Sequence, residues 1–83
     1  MAFDLAAHLR EGMRNVHWHV SDLWVASVGI GGYMGNSDVE AITSGRQQPS
    51  AVEYDVLASA LNERLAELGD DHPIRYWSQL PAT

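Results

Sequence analysis

Histidine offers this chain its most direct route to chemistry, and of the four histidines only His17 and His19 stand close together. Imidazole binds transition metals and titrates near neutral pH, so spacing decides whether two rings can act on one ion. Two residues apart on a helix, they point to nearly opposite sides; only an extended strand would set them side by side. His8 lies more than a turn away, and no Asp or Glu takes an obvious ligand spacing beside the pair. The expectation is exposed or capping histidines flanking a buried Trp18, with no metal site. His72 follows Asp70 and Asp71 and reads as a polar cap at a helix end.

Other chemistries find less support. Gly29-Ile30-Gly31-Gly32-Tyr33-Met34-Gly35 has the composition of a phosphate loop, but its spacing is wrong and the chain contains no Lys to complete one. A dinucleotide site needs a βαβ unit of about 30 residues, which leaves no room for the rest of this chain. There is no Cys and no nucleophile elbow, and Glu63 and Glu67, one helical turn apart, belong to a solvated face. The reading is a protein that is not an enzyme and carries no cofactor. The aromatic residues are the richer resource. Phe3, Trp18, Trp24, Tyr33, Tyr54, Tyr76 and Trp77 are a large load for one small core, and Trp and Tyr favour interfaces. Trp18, Trp24, Tyr33, Tyr76 and Trp77 are the candidate interaction surface, for a protein partner or for self-association as a homodimer.

The elements that must position these residues are helices. Ser50 and Glu53 form a capping box after Pro49, and Leu57, Leu61, Leu65 and Leu68, with Val56 and Ala60 beside them, draw an apolar stripe up to Gly69. This predicts a helix over 51–68. Ser37 and Glu40 repeat the box before Val39 and Ile42, with Gly45 closing a short helix over 38–44. Leu5, Leu9, Met13, Val16 and Val20 share one face of an N-terminal helix, extended at its edge by Ala2 and Ala6. Gly12 weakens its middle by roughly 1 kcal/mol relative to Ala, so it depends on tertiary support. Residues 16–28 read either as a hairpin or as the end of one helix and the start of another. Helix is preferred, because Ser21 or Asp22 suits an N-cap better than a two-residue turn. Two aromatics and two aliphatics in the segment after Pro73 predict a tail folded back on the helices.

Eighty-three residues, 46% of them hydrophobic, describe one domain over 1–83 with one core. The absence of Cys excludes a disulfide framework and fits a cytoplasmic setting. Met1-Ala2-Phe3-Asp4-Leu5 lacks the positive charge of a secretory signal, and the uncharged run Leu23 to Ser37 is too broken by glycines to span a bilayer. A net charge of −6 repels phosphate backbones and anionic lipid. Asp4 and Glu11 balance Arg10 and Arg14, so the acidity lies in the rest of the chain.

From about Met34 to Leu61 the chain resembles the Cro and lambda-repressor type of helix-turn-helix domain. Val39 and Ile42 fall where that family keeps the apolar residues of its recognition helix. Gly45-Arg46-Gln47-Gln48-Pro49-Ser50 matches the loop that follows, and Leu57-Ala58-Ser59-Ala60-Leu61 the next helix. The resemblance implies an all-α bundle of four to five helices with a helix-turn-helix-like arrangement and a link to transcription regulation. The positions that face DNA in the family fall here on Gly35, Asn36, Ser37, Asp38, Glu40 and Ala41, with two acids and no base. Phosphate contacts dominate DNA affinity, so the first expectation is a regulatory or adaptor protein acting through protein contacts. The alternative is a DNA-binding regulator with Asn36, Ser37 and Arg46 at the nucleic acid and a positive patch from Arg10, Arg14 and the histidines. An acidic domain that occupies another protein's nucleic-acid site is a third, lesser option.

Overall fold

The chain folds as α1 (Leu5–Val16), α2 (Val20–Gly29), α3 (Asn36–Ser44), α4 (Ala51–Glu67) and a terminal 3-10 turn, Trp77–Gln79, in a computed structural model that describes residues 4–81. Ala2 and Phe3, read above with the first helix and the aromatic load, lie outside the described residues. No strand occurs among the described residues, so the hairpin alternative for 16–28 does not hold and the architecture is an all-α bundle.

Local signals set most of the boundaries. The Asp4 carboxylate accepts the Ala7 N–H at 3.0 Å and starts α1. The helix ends at His17, which takes a left-handed conformation with φ 58°, while the Trp18 N–H closes onto the Met13 carbonyl at 2.9 Å. His is one of the few residues besides Gly, Asn and Asp that reach this region readily. The break corrects the placement of Val20 on the first helix: the apolar spacing runs on, but Val20 opens α2. That helix is capped by neither Ser21 nor Asp22. His19 holds the cap position, and the Asp22 carboxylate accepts its N–H at 2.9 Å. Likewise α3 starts earlier than its predicted box, because the Asp38 carboxylate takes the Gly35 N–H at 3.0 Å. Glu40 turns instead toward Arg46. The Ser50–Glu53 box forms in both directions, at 3.1 and 2.8 Å. Gly45 and Gly69 close α3 and α4 with φ of 88° and 79°, a region where other side chains are strained.

One core holds these elements together. Leu9, Met13, Leu23, Val39, Ile42, Tyr54, Leu57, Leu61 and Leu65 are buried in a single cluster, with α4 against α1 and α2, and α3 against the same two helices. Two side chains tie the ends of elements to neighbours. Arg10 donates to the Thr43 carbonyl at 2.7 Å, occupying the C-terminal end of α3, and the Trp24 indole N–H donates to the Met34 carbonyl at 3.0 Å, holding down the glycine loop.

The tail folds back as expected, and it explains Gly12. Ile74 is buried over α1 and α4, and a Cβ at position 12 would lie 2.7 Å from its Cδ1. Gly12 is therefore a notch that admits Ile74, not merely a weak point in the helix. The extended backbone of the tail is then satisfied by side chains, since it has no neighbouring strand. Asn62 bonds both the Ile74 carbonyl, at 3.0 Å, and its N–H, at 2.7 Å. The Tyr54 hydroxyl donates to the Arg75 carbonyl at 2.9 Å, His8 Nε2 accepts the Arg75 N–H at 3.3 Å, and Asp55 accepts the Trp77 N–H at 2.7 Å. The Trp77 ring stands edge-on to Tyr54 at 6.0 Å. Burial, with Asp55 adding to it, pushes the Tyr54 phenol up to about 12, so it remains a donor well into alkaline conditions. No helix among the described residues is long and apolar enough to cross a membrane.

Candidate functional site

Another flank of α4 is partly open to water. Exposed Val52, Glu63 and Glu67 share a stripe with half-buried Val56 and buried Ala60, and the C-terminal end of α2, with Ile30 just beyond it, lies alongside through Ala26 and Gly29. Ala26 and Gly29 are small, and a Cβ at Gly29 would meet nothing within 4 Å, so a furrow is left between the helices. The furrow consists of two open depressions of about 450 and 290 Å³ that share Ile30 and Glu63. One depression carries Val52, 63% exposed, with Asp55 and Ser59, and the other carries Trp18, Ala26, Arg64 and Glu67; Ile30, 40% exposed, and Glu63 belong to both. Large apolar side chains left this open to water are what a partner would cover.

The candidate aromatics divide around this groove. Trp18, expected from the sequence to be buried, is half-buried and lines the depression that holds Glu67. The tail reaches the edge of the other depression through polar groups. The Tyr76 hydroxyl is 3.4 Å from Ser59 Oγ and the Trp77 backbone N–H is held by Asp55, both of which line it, while the Trp77 ring stands against Tyr54. The structure does not bring the other two to the groove. Trp24 is half-buried with its N–H committed to Met34, and Tyr33, 80% exposed, stands out on the loop between α2 and α3. Val52, Val56, Ile30 and Glu63 were not singled out from the sequence as site residues. The signal for three of them is a second stripe on α4, Val52, Val56 and Glu63, offset from the leucine stripe.

The positions considered for nucleic acid lie elsewhere. Asn36 and Ser37 are exposed at the start of α3, but Arg46 is paired with Glu40 and Arg10 is engaged by the Thr43 carbonyl. Arg14, His17 and His19 do share one place, an open depression of about 490 Å³ that also touches Met13 and Trp18. His17 and His19 are exposed at the end of α1 and the start of α2, in keeping with capping positions.

His72 is corrected. It does not cap α4, whose final carbonyls are taken by the N–H groups of Leu68, Gly69 and Asp70. Its Nδ1 lies 2.9 Å from Asp71 and 3.5 Å from Asp70, and the three residues could place ligand atoms within 4.8 Å of one another. They are mostly exposed and bond to one another, as acidic turns commonly do. His8 is a polar group whose role could not be read from the sequence. Burial lowers its pKa and Arg75 lowers it further, against the opposing pull of Glu11; the net lowering favours the neutral ring, whose Nε2 accepts the Arg75 N–H. Comparison with protein-family models, with curated proteins and with solved structures returns no match.

Proposed function

We propose that this protein is a non-enzymatic regulatory or adaptor domain, helix-turn-helix-like in arrangement, that works in the cytoplasm through protein contacts. The observation that carries the reading is the open groove between α2 and α4, where exposed Ile30 and Val52 share a lining with Trp18 and the Tyr76 hydroxyl reaches its edge at Ser59. Apolar side chains and an aromatic ring bordered by carboxylates have the make-up of a binding patch, an apolar centre with polar surroundings. The acidity agrees, since it disfavours nucleic acid and keeps such a surface in solution. On α3, the outer face presents Ser37, Glu40 and Ser44 with its nearby arginine already paired, which leaves little to neutralise a phosphate.

A second reading is DNA binding, with Asn36, Ser37 and Arg46 at the duplex. It is favoured by one observation, the gathering of Arg14, His17 and His19 in a single depression on α1 and α2. An electrophoretic shift with duplex DNA at about 50 mM and about 200 mM salt separates the two, because a phosphate-driven complex weakens steeply over that range. Absence of a shift at the lower salt is expected. A tight complex that dissolves at the higher salt would overturn the protein-contact reading in favour of the second.

A further inference from the structure

We infer that the α2–α4 groove takes an amphipathic helix bearing basic residues, a choice of partner that rests on the protein-contact reading and narrows it. The shape comes first. Ala26 and Gly29 give the α2 wall of the groove little bulk, so a partner helix can lie close to it. From Val52 to Glu67 the outer stripe of α4 measures about 22 Å at 1.5 Å per residue, room for about four turns of a second helix.

Backbone chemistry argues against an extended occupant. An extended segment would bring N–H and C=O groups that the lining must satisfy, as the tail's backbone is satisfied on the other flank. The polar groups on the shared rim are already engaged, Asp55 by the Trp77 N–H and Ser59 by the Tyr76 hydroxyl. A helix bonds its own backbone and asks only for apolar contact and charge.

Charge then sets the composition. Asp55, Glu63 and Glu67 face the groove against one cation, Arg64, which sits 3.8 Å from Glu67. The end of α4 adds the partial negative charge of a helix C-terminus. Carboxylates stand along the whole groove, Asp55 and Glu63 beside Val52 and Ile30, and Glu63 and Glu67 beside Trp18 and Ala26, so the partner sets Lys or Arg along both edges of its aliphatic stripe. A second copy of this chain would bring a net charge of −6 and no Lys to the same surface, and an anionic membrane would repel it likewise.

The test uses the full chain, labelled with nitrogen-15, and three synthetic peptides of about 16 residues, or about four turns. One carries Leu at i, i+3 and i+4 spacing with Lys elsewhere; one has Glu in place of every Lys; one has the Leu/Lys composition in an order with no apolar face. The Leu/Lys helix is expected to shift amide signals of residues 26–30 and 52–67. Val52→Asp should weaken it at least about tenfold, the scale of a buried apolar anchor. Glu63→Lys should weaken it several-fold and transfer preference toward the Glu peptide. Both positions are exposed, and retention of the remaining amide spectrum shows that the variants fold. No binding, equal binding of the scrambled peptide, or insensitivity to both substitutions overturns the proposal. Shifts centred on another face end the groove while leaving protein contact as the function. Duplex DNA that shifts α3 in a parallel titration ends the protein-contact reading itself.

Discussion

The two flanks of α4 have the same backbone and opposite fates. On one, Tyr54, Asp55 and Asn62 reach out to an extended tail and Ile74 drops into the notch at Gly12. On the other, Val52 and Glu63 stand open to water beside Ile30, while Val56 between them packs against the glycine loop at Gly32. The difference lies in the polar side chains. A covering segment without secondary structure needs a donor or acceptor for each buried backbone group, and the tail flank supplies them one by one. The groove flank supplies apolar area and carboxylates, which is enough for a cover that brings its own hydrogen bonds. What a helix face can hold is thus written in its half-buried polar residues as much as in its apolar ones.

Breaking the tail flank should have the largest effect. Ile74→Ala is expected to cost about 2–4 kcal/mol of stability, as removal of a buried aliphatic does. For a domain of this size each kcal/mol lowers the midpoint by about 4–8 °C, so thermal unfolding by circular dichroism will show it plainly. Gly12→Ala sharpens the point. In the native chain its helix-propensity gain of about 1 kcal/mol is cancelled by contact with Ile74 and with Leu61, 3.1 Å from the added Cβ. In the Ile74→Ala background part of the gain should appear, since only the Leu61 contact remains. Equal effects of Gly12→Ala in the two backgrounds, measured by urea unfolding, would remove the notch from the account.

Asn62→Ala comes next, at about 2 kcal/mol, because it leaves the Ile74 N–H and C=O without their partner in a partly buried place. Amide exchange at Ile74 should accelerate by far more than at Leu57 in the same variant. On the groove flank the equivalent trial is Val52→Ser, expected to change stability by less than about 0.5 kcal/mol because the side chain is mostly in water. A loss comparable to that of Asn62→Ala would mean that the groove is already closed in solution, and the contrast between the flanks would vanish.

Much of this was legible in the sequence where the interaction is local. Ser50 with Glu53, and the glycines at 45 and 69, act within a few residues of themselves, so spacing alone found them. The same rule misled at α3, where two acids at cap spacing compete: Asp38 serves the Gly35 N–H, while Glu40 is drawn out to Arg46 beyond the helix end. The end of α1 left no mark, because a left-handed His17 has no glycine to announce it and the apolar spacing continues to Val20. Gly12 and His8 were unreadable for a different reason. Their partners, Ile74 and Arg75, are more than sixty residues away, and neither the notch nor the acceptor exists until the tail arrives. The groove lies between these cases. Its second stripe on α4 is visible in the sequence, but whether another element covers it is decided only by packing.

A pH-dependent effect separates a titrating hook on the tail flank from a silent one. His8 can accept the Arg75 N–H only while Nε2 is unprotonated, and burial together with Arg75 holds its pKa below the usual value against Glu11. The unfolded chain therefore takes up the proton first as pH falls. The contribution of His8 is complete above about pH 6.5 and is lost as pH drops through the lowered folded value. Its size should not exceed about 1 kcal/mol, the worth of one hydrogen bond. His8→Gln keeps an acceptor that does not titrate, so the other carboxylates and histidines act alike in both proteins. The native chain should lose more stability than the variant between about pH 7.5 and about pH 5, on urea unfolding at each. Identical pH slopes would show that the tail does not depend on the protonation state of His8, leaving Asn62 and Tyr54 to hold it.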